Sequence, residues 1–280
     1  MNISEAIKQA EQALTKGNIE SARLEAEILL ANALKVDRIY LYVHSDEILT
    51  ESQSKLYNDF IQRRLSHEPT DYIIGHREFM GLDFIVNENV LIPRPDTEIL
   101  VETVIERLKD IDGTINIVDV GTGSGAIAIS LAKFLHNAKV DAVDISEAAL
   151  NIAKLNANNN DLADKVKFHQ GDLFVPISDN RYNAIVSNPP YIPSAVIDTL
   201  EPEVAKYEPK IALDGGNDGL NFYRRLIDES PAFLVDGGFL AVEIGYDQAQ
   251  TVAELAKKHF NQVEVIKDLS QNDRVVVAKL

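Results

Sequence analysis

Ile117-Val118-Asp119-Val120-Gly121-Thr122-Gly123-Ser124-Gly125 is an apolar, β-branched run that breaks into alternating glycines before a second apolar stretch starts at Ala126. The run reads as a strand, the glycines as a tight turn, and the stretch from Ala126 as a helix. Glycine lets the backbone take left-handed angles and lets a ligand approach where a Cβ would stand. A strand that feeds a helix through such a loop is the opening unit of a nucleotide-binding α/β sheet.

Downstream the alternation continues. Strand-like runs at 117–120, 140–144, 166–168, 184–187 and 239–244 are separated by helical or loop segments, and two more follow at 263–266 and 274–277. Parallel strands need crossover connections, so the series predicts a doubly wound, mostly parallel sheet. The last two runs are joined through the short turn Ser270-Gln271-Asn272-Asp273, which cannot hold a crossover, and they must therefore pair antiparallel. A seven-stranded, Rossmann-like α/β sheet ending in such a hairpin is characteristic of the class I methyltransferase fold.

Upstream the periodicity is helical. Ile3, Ala6, Ile7 and Ala10, then Leu24, Ile28 and Leu29, recur on one face, and strand-like alternation is absent. Ser4-Glu5, Gly17-Asn18, Asp37, and Thr50 with Gln53 three residues on are helix punctuation. Four or five helices are expected in a domain spanning 1–75. Residues 76–95 read as a β-hairpin linker, with Leu82-Asp83-Phe84-Ile85-Val86 and Val90-Leu91-Ile92 as strands about Asn87-Glu88-Asn89. Pro93-Arg94-Pro95 ends it, and Asp96 or Thr97 can cap a helix to about Lys109, opening a catalytic domain at 96–280.

Asp144 ends the second strand of the sheet, 19 residues after Gly125, where a carboxylate can accept hydrogen bonds from both hydroxyls of a ribose. A capping Asp ahead of Ser146-Glu147 is the competing reading. At the end of the third strand, Asp172 and Leu173 offer a carboxylate and an apolar wall to an adenine. The glycines Gly121 and Gly123 with Ala126 also satisfy the dinucleotide pattern, so alone they leave nicotinamide and S-adenosylmethionine open. No Arg or Lys stands in the glycine loop to neutralise a pyrophosphate, and no Walker lysine is present. S-adenosylmethionine is favoured.

Ser187-Asn188-Pro189-Pro190-Tyr191 follows the fourth strand, at the sheet edge where open α/β folds bind ligands. Adjacent prolines fix φ and remove two backbone donors, leaving carbonyls that only accept, and Asn188 adds a side-chain carbonyl. A primary amide or aromatic amine carries two coplanar N–H groups, so two fixed acceptors, Asn188 and the Pro189 carbonyl, can hold both. Tyr191 can stack on the planar group and keep it in line for a displacement whose barrier falls through positioning.

The net charge of −17 opposes binding driven by counterion release from a phosphate backbone, and direct nucleic-acid binding is not expected. Cysteine is absent, so thiolate metal sites, disulfides and a cysteine nucleophile are excluded. The six histidines show no metal-ligand spacing, and no metal is expected. With no run long and apolar enough for a bilayer and no signal-peptide pattern, a cytoplasmic protein without membrane contact is expected.

Taken with Gly75-His76-Arg77-Glu78-Phe79, Ile92-Pro93-Arg94-Pro95-Asp96-Thr97-Glu98 and Val242-Glu243-Ile244-Gly245, these features resemble the HemK/PrmC family over nearly the whole chain. Members methylate the glutamine of the Gly-Gly-Gln motif in peptide chain release factors. The resemblance implies that Gly121, Thr122, Gly123, Ser124, Gly125 and Asp144 contact S-adenosylmethionine and its product S-adenosylhomocysteine. It further implies that Asp172 and Leu173 line the adenine pocket, and that Asn188, Pro189, Pro190 and Tyr191 hold the glutamine amide, with Asn188 also near the cofactor. Arg94, Glu98 and Glu243 are left without an assigned role. The rivals are an RNA or DNA amino methyltransferase using the same loop, and a noncatalytic scaffold that retains the cofactor fold.

Overall fold

The computed structural model describes all 280 residues, Met1–Leu280. The chain forms two compact units, one of Met1–His76 with Glu201–Tyr207, the other of Arg77–Leu200 with Glu208–Leu280. The hairpin region thus packs within the second unit, and a short helix from the middle of the chain belongs to the first.

The first unit holds helices α1 (Ile3–Lys16), α2 (Ala22–Leu34), α3 (Arg38–Val43), α4 (Glu51–Leu65) and α5 (Thr70–Ile74). Local chemistry sets their starts. Asn2, two residues before the punctuation expected at Ser4, accepts from the Glu5 amide at 2.8 Å while Glu5 accepts from the Asn2 amide at 3.0 Å. Thr50 and Gln53 form the same reciprocal box on α4, and Asp37 caps α3. Each cap contributes about 1 kcal/mol. Ile3, Leu14, Leu29 and Leu30 are fully buried, and each such side chain contributes roughly 1.5–3 kcal/mol. The buried Tyr57 donates its hydroxyl to the Ala26 carbonyl at 3.0 Å, so no polar group is stranded there.

In the second unit, which begins at Arg77 inside β1 (His76–Phe79), β1 and β2 (Leu82–Ile85) precede helix α6 (Thr97–Leu108). The hairpin lies one strand earlier than the sequence pattern predicts. Met80 and Gly81 both take positive φ, 53° and 72°, the two-residue geometry whose twist matches paired strands. Asn87 instead accepts from the Asn89 amide at 3.0 Å, in a turn over residues 88–90 after which 91–94 belong to no strand. Nor does Asp96 cap α6 with its side chain; it pairs with Arg274 at 2.9 Å.

The main sheet comprises β3 (Ile115–Val120), β4 (Ala138–Asp144), β5 (Val166–Gln170), β6 (Tyr182–Ser187), β7 (Leu234–Glu243), β8 (Gln262–Lys267) and β9 (Asp273–Lys279). Their order is β5-β4-β3-β6-β7-β9-β8, with β9 antiparallel to both neighbours and the other pairs parallel. This is the predicted seven-stranded, Rossmann-like sheet with its terminal hairpin. Side-chain alternation divides the core into two layers. Ile117, Ala184 and Phe239 face α6, α7 (Ala126–Phe134) and α8 (Glu147–Asn159), with Phe79 and Phe84 of the hairpin in the same layer. Val118, Ile185 and Leu240 face α10 (Asn221–Glu229) and α11 (Ala249–Ala256). The remaining helix, α9 (Pro202–Tyr207), is the segment grouped with the first unit. The strand order reverses between β4 and β6 on either side of β3, and such a switch point opens a crevice at the carboxyl ends of the strands.

Candidate functional site

The crevice is a cavity of about 330 Å³. Four strand ends supply its walls: the glycine loop after β3, Asp144 on β4, Asp172 and Leu173 after β5, and Asn188 to Pro190 after β6. The β3–β4 register pairs Val120 with Val143, so the glycine loop and Asp144 leave the sheet side by side. Asp144 accepts from the Gly123 amide at 2.9 Å and the Ser146 amide at 2.8 Å. Burial pushes its carboxyl up, and those backbone hydrogen bonds, together with one from Ile145, oppose the shift. The same carboxylate therefore shapes the glycine loop and faces the cavity.

Only some of the loop borders the cavity. Gly121 and Gly123 line it, both with positive φ, and a Cβ on either would meet no protein atom within 4 Å. The space they leave is open for a ligand. Thr122, Ser124 and Gly125 are absent from the wall and act behind it. Thr122 donates its hydroxyl to Asp119 at 2.6 Å, while the Ser124 carbonyl accepts from Asn156 at 2.9 Å. Gly125, at φ +84°, leaves no room for a Cβ, which would sit 2.9 Å from Ile129 and 3.1 Å from Ala153. Asp119 is wholly buried, and burial pushes its carboxyl up to about 7 against hydrogen bonds from Thr122 and the Ala128 amide.

The wall at Asn188, Pro189 and Pro190 stops short of Tyr191. The Tyr191 ring packs against the α10–α11 core layer, its carbonyl accepts from Gln248 at 3.1 Å, and burial first, then the Glu243 charge, pushes its hydroxyl up to about 12. Asn188 donates from Nδ2 to the Thr97 hydroxyl at 3.2 Å. Its Oδ1 and the Pro189 carbonyl accept no hydrogen bond within the protein, leaving both acceptors available.

Several wall residues carried no sequence signal. Asn89, Val90 and Leu91 come from the turn after the hairpin, and Phe222 and Arg225 from α10. Arg225 pairs with Asp172 at 2.8 Å and 3.1 Å, so the charged side chains of the wall are two carboxylates and one guanidinium. That balance suits a cationic ligand and is poor for a pyrophosphate. Outside the wall, Glu98 accepts from the Met80 amide at 2.7 Å, which fixes the hairpin turn, and Arg94 pairs with the buried Glu208 at 2.6 Å.

Residues 5–75 match the PrmC N-terminal domain and residues 95–200 the methyltransferase small domain. The release factor glutamine methyltransferase of Geobacter sulfurreducens is 43% identical over 268 residues, 95% of this chain and 93% of that protein. The release factor glutamine methyltransferase of Moorella thermoacetica is 44% identical over 280 residues, 99% of this chain and 98% of that protein. Among solved structures, a methyltransferase from Pyrococcus furiosus aligns with a TM-score of 0.54 at 20% identity, over 72% of this chain and 90% of that one, a likeness of fold alone.

Proposed function

The chain belongs to the release factor glutamine methyltransferase family, and from that premise we propose that it methylates the side-chain amide nitrogen of the glutamine in the Gly-Gly-Gln motif of peptide chain release factors, using S-adenosylmethionine. One arrangement carries the reading. Two acceptors that take no hydrogen bond within the protein, Asn188 Oδ1 and the Pro189 carbonyl, belong to residues that line a cavity together with the glycine loop and Asp144. The number and type of acceptors match the two N–H groups of a primary amide.

The cavity also fits the cofactor. Gly121 and Gly123 leave open space beside Asp144, which is placed to accept from ribose hydroxyls, and Asp172 with Leu173 offers an acceptor and an apolar face to adenine. When bound, the cofactor supplies an electrophilic methyl group on a cationic sulfonium. Asn188 and Pro189 hold the amide hydrogens in a fixed plane, which turns the nitrogen lone pair toward that methyl and removes the entropy of alignment. As nitrogen gains positive charge, both acceptors tighten their hold, so they stabilise the transition state more than the ground state. No base is needed in advance, because the N–H becomes acidic only after the new bond forms, and the proton then leaves to solvent.

Purified protein given labelled S-adenosylmethionine and a release factor should label the factor, and a partner with the motif glutamine changed to alanine should take up none. Equal labelling of that partner, or labelling of nucleic acid instead, would overturn the assignment.

A further inference from the structure

Glu243 ends β7 and is buried, with 1% of its surface exposed. It forms no salt bridge, and its Oε2 has no hydrogen-bond partner. Burial pushes the carboxyl up to about 7, while hydrogen bonds from Thr97 and Asn188 and the charge of Arg274 pull it down. A buried carboxylate left this poorly compensated costs stability. Its partner in the sheet is the apolar Val275 on β9, which offers it no hydrogen-bonding side chain.

The residues around it explain its place. Thr97, 4% exposed at the start of α6, accepts from Asn188 Nδ2. Having accepted that hydrogen, the Thr97 hydroxyl has its own hydrogen to donate, and the Glu243 carboxylate lies beside it. In its ionised form the Glu243 carboxylate only accepts, whereas an Asn side chain presents an oxygen at one corner and NH₂ at the other. The direction of the network is therefore set from its buried end: the Asn188 NH₂ donates to Thr97 and to Glu243, and the Thr97 OH to Glu243.

We infer that Thr97 and Glu243 are positioning residues that lock the Asn188 amide with its NH₂ turned inward and its Oδ1 presented to the cavity. A flipped Asn188 would offer NH₂ to the substrate amide, donor against donor, and the two-acceptor grip would be lost. The inference rests on the amide-methylation reading above and names the device that fixes its central residue. It also gives Thr97, within Pro95-Asp96-Thr97-Glu98, a function distinct from helix capping.

The test is a mutant cycle with a release factor as methyl acceptor. Thr97→Val keeps the shape and removes the hydroxyl, and Glu243→Gln removes the acceptor-only character. Each should lower kcat about tenfold, the worth of one oriented hydrogen bond, with S-adenosylhomocysteine affinity unchanged by calorimetry. Thr97→Ser should keep wild-type kcat. In an Asn188→Ala background both changes should have less than about a twofold effect, because the group they orient is gone. Full tenfold losses in that background, or wild-type kcat in Thr97→Val, would overturn the inference. An activity-independent readout is the Asn188 side-chain NH₂ signal in the cofactor-free protein: Thr97→Val should move it toward free-amide shifts, and an unmoved signal counts against the lock. Loss of label from every variant, wild type included, would instead strike the substrate assignment, leaving the resonance shift to decide the orientation.

Discussion

Replacing Asn156 with alanine should be among the most damaging single changes to the second unit. Asn156 lies on α8 with none of its surface exposed, and its side chain joins two segments far apart in sequence. It accepts from the Ile85 amide at 2.7 Å, donates to the Ile85 carbonyl at 3.0 Å, and donates to the Ser124 carbonyl at 2.9 Å. The hairpin and the glycine loop are thereby held by one amide. Truncation leaves three backbone groups without their partner, each worth about 1 kcal/mol when water partly replaces it and up to 3 when it does not. A loss of roughly 3 kcal/mol corresponds to roughly 6–12 °C in Tm for a unit of this size. Asn156→Asp separates hydrogen bonding from volume. The Asp retains an acceptor for the Ile85 amide, but its ionised form faces the Ile85 and Ser124 carbonyls with oxygen against oxygen. Its folded pKa must lie above the unfolded value of about 3.9, so stability from this group is present at low pH and lost as pH rises through the folded value. Calorimetric Tm values from pH 4 to pH 8 should thus show Asn156→Asp approaching wild type at the acid end and Asn156→Ala displaced throughout. A shift below about 2 °C for Asn156→Ala would show that these three hydrogen bonds do not hold the hairpin and the glycine loop together.

Three further outcomes follow from the site. Asn188→Ala should cut kcat by about two to three orders of magnitude, as the loss of an oriented transition-state contact does, while S-adenosylhomocysteine affinity in calorimetry stays within about threefold; unchanged turnover would remove the two-acceptor mechanism. Gly123→Ala places a Cβ at φ +55°, a strain of roughly 1–2 kcal/mol, beside the cofactor space, so cofactor affinity should fall at least about tenfold, and an unaltered Kd would contradict the assignment of that space. The Asp119 carboxyl, pushed up to about 7 by burial, contributes stability that is full below its unfolded value of about 3.9 and is lost as pH rises through 7. The Tm of the cofactor-free protein should accordingly decline between pH 5 and pH 8, less so in Asp119→Asn, and parallel profiles would show that Asp119 does not titrate in this range.

The parts of the fold that were legible in the sequence are those where one residue type has one physical use. Gly121, Gly123 and Gly125 take left-handed angles at the end of β3, and Asp144 stands beside them because parallel strands in register end together. The closing hairpin could be read from the shortness of its connection. Other features depend on competition between local signals. Met80, with no turn propensity of its own, adopts positive φ because Gly81 follows and Phe79 and Phe84 must meet at 6.1 Å, and this displaced the hairpin from the Asn-rich segment. Tyr191, expected to stack in the cavity, is drawn instead into the α10–α11 core layer. Asn156 and Glu243 gave no local sign of these contacts, which only folding creates: the partners of Asn156 lie 71 residues away at Ile85 and 32 away at Ser124, and that of Glu243 lies 146 away at Thr97.

The cavity at Asn188 and Pro189 is proposed as the place where an amide nitrogen of a protein is methylated. Tandem mass spectrometry of a release factor incubated with the enzyme and S-adenosylmethionine tests it most directly. The expected product is a peptide heavier by one methyl group, with fragment ions that place the methyl on the side-chain nitrogen of the Gly-Gly-Gln glutamine, and no such species with Asn188→Ala. A methyl group on another residue, or an unmodified factor alongside methylated nucleic acid, would contradict it.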